Sequence, residues 1–287
     1  MSAKKPLFAF FGTSKLSVYV LDTLEKHGML PALVITAPDK PRGRGLESTP
    51  SPVKVWAEAH SIDVLTPEKL KDENFIAELS NTEWDVFIVA AYAKLIPKQL
   101  LDMPRRRCVN VHPSMLPKFR GPSPIISAIL ADERETGVTI MQMEETMDTG
   151  AMLAQARIEI AQEDWPPTNT ILEEMLFTEG GNLLAETLPE WISGTVTPAP
   201  QDDSRATYTK KFSSDDALID LKNGDARQNF LKIRAYDSGP RAYYFAEKND
   251  KNVRVIITGA EFNEGKLTIT HVIPEGKKEM DYADFLR

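Results

Sequence analysis

Cysteine is almost missing from this 287-residue chain: Cys108 is the single one, so no internal disulfide can form. That fits a reducing compartment, and the cytosol is the expected location. Histidine is also scarce, with four scattered residues, and no zinc-type ligand spacing can be assembled, so no metal is expected. Long apolar runs are absent, none approaching the ~20 residues of a membrane span. The opening Met1-Ser2-Ala3-Lys4-Lys5-Pro6 lacks a signal-peptide cleavage pattern. No internal repeat or low-complexity stretch interrupts the chain. What remains is ordinary globular material, 42% hydrophobic and 26% charged, in a length that calls for two domains.

Negative charge dominates, at −8 overall, but unevenly. Residues 205–287 hold 15 Lys and Arg against 13 Asp and Glu, while the whole chain's 34 and 42 leave 19 and 29 for the rest. An acidic body with a near-neutral appendage excludes strong indiscriminate polyanion binding. It leaves open the recognition of one RNA through a local basic loop.

The first two-thirds alternates short apolar runs with amphipathic ones. Leu7–Phe11, Ala32–Thr36, Asp85–Ala91 and Arg107–Val111 are β-rich and almost continuously apolar, as strands buried on both faces should be. Helical patterns fall near 15–27, 52–60, 68–80 and 97–103. This rhythm predicts an α/β, doubly wound, mostly parallel, Rossmann-like sheet in the order 3-2-1-4-5. A helix near 122–132 and strands Val138–Met143 and Ala151–Ile160 follow. Then comes a long helix whose Thr170-Ile171-Leu172-Glu173 reads as a capping box. These patterns predict a catalytic domain over 1–194, a Pro- and Asp-rich linker over 195–213, and a small β-rich domain over 214–287. In the last, a helix near 224–235 precedes strand candidates Ala242–Ala246, Val253–Thr258 and Lys266–Val272.

The chemistry concentrates where the fourth of those first apolar runs ends. Asn110 and His112 stand two residues apart, on one face, before the stiff turn Pro113-Ser114-Met115-Leu116-Pro117. Thirty-six residues after His112, a turn carries Asp148-Thr149-Gly150. An amide donor, a titratable ring and a carboxylate to orient it suit acyl transfer to an amine. Taken singly, each also has a plain structural use, as a hydrogen-bonded pair or turn punctuation. A functional Asp148 is expected to accept a hydrogen bond from His112 and raise its pKa. Lys40, Arg42 and Arg44 crowd a glycine-rich loop expected at the same sheet edge. In the expected order that loop's strand lies roughly 14 Å from the His112 strand, at ~4.8 Å per spacing. Such a loop is either solvated or a grip for phosphates.

Asn110-Val111-His112, Ser114-Met115-Leu116-Pro117, Arg120-Gly121 with Pro124, and Thr136 to Met143 through Asp148-Thr149-Gly150 resemble the 10-formyltetrahydrofolate-dependent formyltransferases. Phe11-Gly12-Thr13, the run from Pro38 to Gly45 leading into Ser51-Pro52-Val53, and Pro274 to Met280 extend the resemblance along the chain. It implies 10-formyltetrahydrofolate as co-substrate and the α-amine of methionyl-initiator tRNA as acceptor. It implies a tetrahedral oxyanion held by Asn110 and a protonated His112, with Asp148 in the proton relay. It also implies a folate slot walled by Ala90, Tyr92, Ser114, Leu116 and Pro117. Lys40, Arg42 and Arg44 would grip the acceptor end, and Lys210 and Lys211 would help an OB-like C-terminal domain dock the tRNA. A monomer is expected. The family's glycine is replaced by Ala93, and the usual tryptophan is missing from Ala235–Pro240. A formyltransferase for a sugar amine or glycinamide ribonucleotide, a 10-formyltetrahydrofolate hydrolase, or an inactive RNA-binding relative are the alternatives.

Overall fold

The structure, a computed structural model, describes residues 5–42, 47–248 and 251–287. Its chain forms two compact units. One gathers residues to Arg120, Gly137–Ile158 and Glu174–Thr207; the other gathers Gly121–Thr136, Glu159–Glu173 and Tyr208–Arg287. The segment expected as a linker is thus divided at Thr207 between the two.

The first unit is built on a seven-stranded sheet. Strand β1 (Phe8–Phe11) leads into helix α1 (Lys15–Lys26), and β2 (Leu33–Ile35) into a hairpin of β3 (Lys40–Arg42) and β4 (Glu47–Thr49). Helix α2 (Pro52–Ala59), β5 (Asp63–Leu65), α3 (Glu73–Ser80), β6 (Val86–Val89), the short α4 (Lys98–Leu101) and β7 (Cys108–His112) follow. After helix α5 (Pro124–Leu130), which belongs to the second unit, β8 (Thr136–Gln142) and β9 (Met152–Ile158) complete the sheet. Its order is β5-β2-β1-β6-β7-β8-β9. The first five strands are parallel and β8 runs antiparallel to β7. The 3-2-1-4-5 order is therefore present. Two strands lie between β1's outer neighbour β2 and β7, so the β3–β4 hairpin leaves the same edge as His112.

Strands β1 and β6 are apolar throughout, and β7 is apolar apart from Asn110 and His112, because both faces are covered. On one side Phe11, Phe87, Val89 and Cys108 pack with Phe75, Leu79, Trp84 and Leu100 in a single cluster. On the other lies the long helix α6 (Asn169–Ser193). Gly180 and Gly181 let it approach: a Cβ on Gly180 would overlap Val111 Cγ1, and one on Gly181 would stand 2.6 Å from Thr23 Cβ. The helix starts earlier than its capping-box pattern indicated, for Thr168 Oγ1 accepts from the Ile171 amide at 3.3 Å. Thr170 sits one residue into the helix, so the signal was real but two residues late.

The second unit carries helix α7 (Ala226–Ala235) and a four-stranded antiparallel sheet in chain order. Its strands are β10 (Tyr243–Lys248), β11 (Lys251–Asn263), β12 (Lys266–Pro274) and β13 (Met280–Asp281), before a last helical turn, α8 (Tyr282–Phe285). Ile233, Tyr244, Val255, Ile257, Val272 and Phe285 form its own core. The strands run longer than their apolar centres suggested, because the register continues through polar residues at both ends. Arg227 of α7 clasps Asp132 beyond α5 with two hydrogen bonds of 3.1 and 2.7 Å. Among the described residues no helix is long and apolar enough to cross a membrane.

Candidate active site

Three neighbouring strands, β1, β6 and β7, deliver their carboxyl ends to one edge, the place where open parallel sheets bind ligands. At the end of β1 the chain turns at Gly12, where a Cβ would come within 2.6 Å of Phe10 and 2.7 Å of Ser17. Ser17 Oγ accepts from the Thr13 amide at 3.1 Å and donates to the Ala90 carbonyl at 2.7 Å, tying the ends of β1 and β6 together. The Ala90 amide in turn donates to Phe11 at 3.0 Å. Both backbone groups of Ala90 are thus engaged, the amide with β1 and the carbonyl with Ser17 of α1. Ala91 is left-handed, at φ +47°. Tyr92 sets its ring edge-on to Phe11, and its hydroxyl is buried without a hydrogen-bond partner among the described residues. Burial pushes that hydroxyl's pKa up to about 12, so it is a proton donor awaiting an acceptor. Leu95, by contrast, is 80% exposed at the same edge.

On β7 the alternation of a strand sends Cys108, Asn110 and His112 to one face and Val109 and Val111 to the other, beneath α6. Asn110 is half-buried, and its side-chain amide bonds to no other described residue. His112 is 3% exposed. Its Nε2 lies 3.2 Å from the Phe119 carbonyl, and its Nδ1 faces Asp148 Oδ1 at 3.7 Å. The first is a hydrogen bond; the second is too long for one. Asp148 raises the ring's pKa, as expected, but the net shift is downward. Burial, which disfavours the charged ring, lowers it and outweighs the raising effects of Asp148 and the Phe119 carbonyl. A carbonyl can only accept, so the neutral ring carries its proton on Nε2 and presents a bare Nδ1. The expected hydrogen bond to Asp148 is replaced by a longer approach and the resting ring is neutral, while the expected raising effect of Asp148 is present.

The Ser114–Pro117 turn is held from below. Thr139 Oγ1, on β8, donates to the Ser114 carbonyl at 2.7 Å and accepts from the Leu116 amide at 3.2 Å. Gln155 donates to the Leu116 carbonyl at 2.9 Å, and Ser114 Oγ donates to the Lys118 carbonyl at 2.7 Å. Ser114 and Leu116 are both buried. The Ser114 hydroxyl is thus committed to the turn itself.

A strap from 201 to 207 holds the rest of this loop, and sequence reasoning missed it. Thr207 accepts from the Phe119 amide through Oγ1 at 2.8 Å and from the Arg120 amide through its carbonyl at 2.9 Å, and donates to the Pro117 carbonyl at 3.2 Å. Arg120, only 1% exposed, donates from Nε to Gln201 Oε1 at 2.9 Å and from Nη2 to Asp203 at 2.7 Å. A buried arginine demands partners, and that demand was the one available signal for the strap.

The basic residues fare variously. Lys40 and Arg42 fall on β3, whose backbone register sets Arg42 opposite Glu47 of β4. Arg44 lies outside the described residues. Lys210 forms an ion pair with Asp216 and lies over the Phe212 ring at 5.3 Å, while Lys211 is exposed. Lys232, Arg234 and Lys248 donate to the carbonyls of Leu218, Pro166 and Phe285, stabilising the second unit itself. Among the described residues, no group of three or more His, Cys, Asp or Glu could hold a metal ion.

Comparison with known proteins joins this geometry to a family. Residues 4–188 match the family model described as formyl transferase. Methionyl-tRNA formyltransferase of Halalkalibacterium halodurans is 38% identical over 302 residues, covering 97% of this chain and 93% of that protein. The protein of the same name from Chloroflexus aurantiacus is 42% identical over 238 residues, covering 82% and 75%. In solved structures, methionyl-tRNA formyltransferase from Clostridium thermocellum superposes with a TM-score of 0.61 at 14% identity, over 97% of this chain and all of that one. The last shows shared fold; the first two show descent. This chain belongs to the formyl transferase family, and the methionyl-tRNA formyltransferases are its near relatives within it.

Proposed function

We propose that this protein transfers a formyl group from 10-formyltetrahydrofolate to the α-amine of methionyl-initiator tRNA, as a cytoplasmic monomer. The observation that carries the chemistry is the trio at the end of β7: a free Asn110 amide, a buried His112 with a bare Nδ1, and Asp148 facing that nitrogen at 3.7 Å. The relatives' names supply the acceptor.

The residues divide the work as follows. Asn110 donates its N–H to the oxygen that becomes negative as the amine adds to the formyl carbon. A donor fixed in advance at that position contributes ~3 kcal/mol to the transition state. His112 accepts the proton that the attacking amine must lose. The resulting imidazolium is flanked by the Asp148 carboxylate and the Phe119 carbonyl, both of which favour its charge. His112 then gives the proton to the departing folate nitrogen, and the formamide carbonyl re-forms. The substrate amine is itself the nucleophile, so no covalent enzyme intermediate is needed. The folate ring fits the apolar wall after Val89, where the partnerless Tyr92 hydroxyl offers it a hydrogen bond. The β3–β4 hairpin, with Lys40, Arg42 and Arg44, grips the acceptor end from the same edge, and Lys211 adds charge on the second unit.

Single-turnover transfer of labelled formyl decides the matter, with initiator methionyl-tRNA, elongator methionyl-tRNA and no tRNA as arms. Fast transfer to the initiator alone is the expected result. Equal folate consumption without tRNA would make the protein a hydrolase. Arg44→Ala is expected to raise the KM for tRNA well above any change in the KM for folate. Equal changes would remove the hairpin from tRNA binding.

A further inference from the structure

The two groups that flank His112 come from loops well separated in sequence, and one side chain joins both. Gln201 Nε2 donates to the Asp148 carbonyl at 2.9 Å and to the Gly150 carbonyl at 2.7 Å. Its Oε1 accepts from Arg120 Nε at 2.9 Å, next to Phe119 in the chain. Only one orientation of the amide serves: rotated, its oxygen would face two carbonyl oxygens and its NH2 would face a guanidinium. Phe119 and Asp148 are both left-handed, at φ +61° and +57°, a conformation side chains rarely adopt and local bonds must hold. Gly150 leaves no slack, for a Cβ there would overlap the Gln142 carbonyl.

We infer that Gln201 is a positioning residue of the active site, bracketing the Phe119 and Asp148 loops so that the two faces of His112 keep their spacing. It touches neither His112 nor any reacting atom. Its effect passes through the Asp148 backbone on one side and through Arg120 on the other. The inference rests on His112 and Asp148 being the reacting pair, and its test is chosen to separate the two claims.

Two variants report on it. Gln201→Met keeps side-chain length and removes every hydrogen bond. Gln201→Glu keeps the acceptor for Arg120 but sets an oxygen against the Asp148 and Gly150 carbonyls. Each is examined in the full chain by ring-nitrogen NMR of His112, one of only four histidines, and by steady-state kinetics and melting. Among the described residues, Asp148 is the one side-chain charge acting on the ring and raises its pKa, and Phe119 contributes a carbonyl. Displacing Asp148 must therefore move the His112 titration to lower pH. The expected result is that shift in Gln201→Met, whereas in Gln201→Glu the added carboxylate favours the imidazolium and opposes it; kcat falls at least tenfold in both, with both KM values within about twofold, on the scale seen when catalytic groups are misplaced. Gln201→Glu, which retains the Arg120 bond, is expected to melt close to the parent. An unmoved His112 titration in Gln201→Met overturns the inference, whatever happens to Tm or rate. A shifted titration with unchanged kcat upholds the bracket and removes His112 from the proton transfer instead.

Discussion

His112 donates its Nε2 proton to the Phe119 carbonyl at 3.2 Å, and that bond decides which nitrogen is left for chemistry. The carbonyl cannot donate, so Nδ1 holds the lone pair in the neutral ring. Burial keeps the ring neutral at ordinary pH. The ring is thereby arranged to serve as the base of the proposed mechanism.

The pH dependence follows from the sign of that shift. Activity requires the neutral ring and falls as it protonates. Because the folded pKa lies below the usual ~6.5, kcat/KM is expected to stay flat across neutral pH and to fall only in acid. Stability carries the same sign. The unfolded chain binds the proton more readily, so the contribution is intact above about 6.5 and is lost as pH falls through the folded pKa. A rate profile with its midpoint above 6.5, still present in His112→Gln, would reject His112 as the base.

Asn110→Ala is expected to lower the single-turnover rate by roughly 10²–10³, the usual effect of losing one oxyanion donor. The folate Kd should move little, because the bond strengthens only as charge develops. Asn110→Asp should be slower still, since it sets a negative charge against the oxyanion. A rate for Asn110→Ala within threefold of the parent would leave the oxyanion to another donor.

Legibility tracked the range of the interactions. Strands β1, β2, β6 and β7 announced themselves because burial on both faces makes a continuous apolar run. β5 did not, since Asp63-Val64-Leu65 is three residues at a sheet edge with an exposed aspartate. Asn110, His112 and Asp148 could be named from local motif and spacing, and the structure brings His112 and Asp148 together. The sign of the His112 pKa could not be read, because it depends on how deeply the ring is buried. Gln201 was invisible: 53 residues separate it from Asp148 and 81 from Arg120, and its neighbours Asp202, Asp203 and Ser204 have the composition of a linker.

Arg120 and Asp203 share a bond but not its burial, and substitutions should expose the difference. The guanidinium side chain is 2% exposed and the carboxylate 82%. Removing the carboxylate in Asp203→Ala costs a water-facing partner, expected at about 1 kcal/mol or less. Arg120→Ala empties a packed site and strips Gln201 of its donor, an expected loss of about 2–4 kcal/mol. Denaturant midpoints at constant m-value measure both. Equal losses would show the ion pair, not the packing, to be the stabilising element.

Gly180 and Val111 set the distance between α6 and the strand that carries the site. A Cβ on Gly180 would overlap Val111 Cγ1, and the Val138 side chain at 3.2 Å closes the other direction. Val111 points away from the face of Asn110 and His112, so pressure on it displaces β7 toward that face. Gly180→Ala gains helix propensity of about 1 kcal/mol, yet overpacking a tight core costs about 1–3 kcal/mol, so net destabilisation is expected, with kcat reduced as well. The repair is specific: Val111→Ala removes the methyl groups that clash, and the double variant should recover part of both losses although Val111→Ala alone is destabilising. Strictly additive losses in stability would mean that helix and strand do not press on one another here.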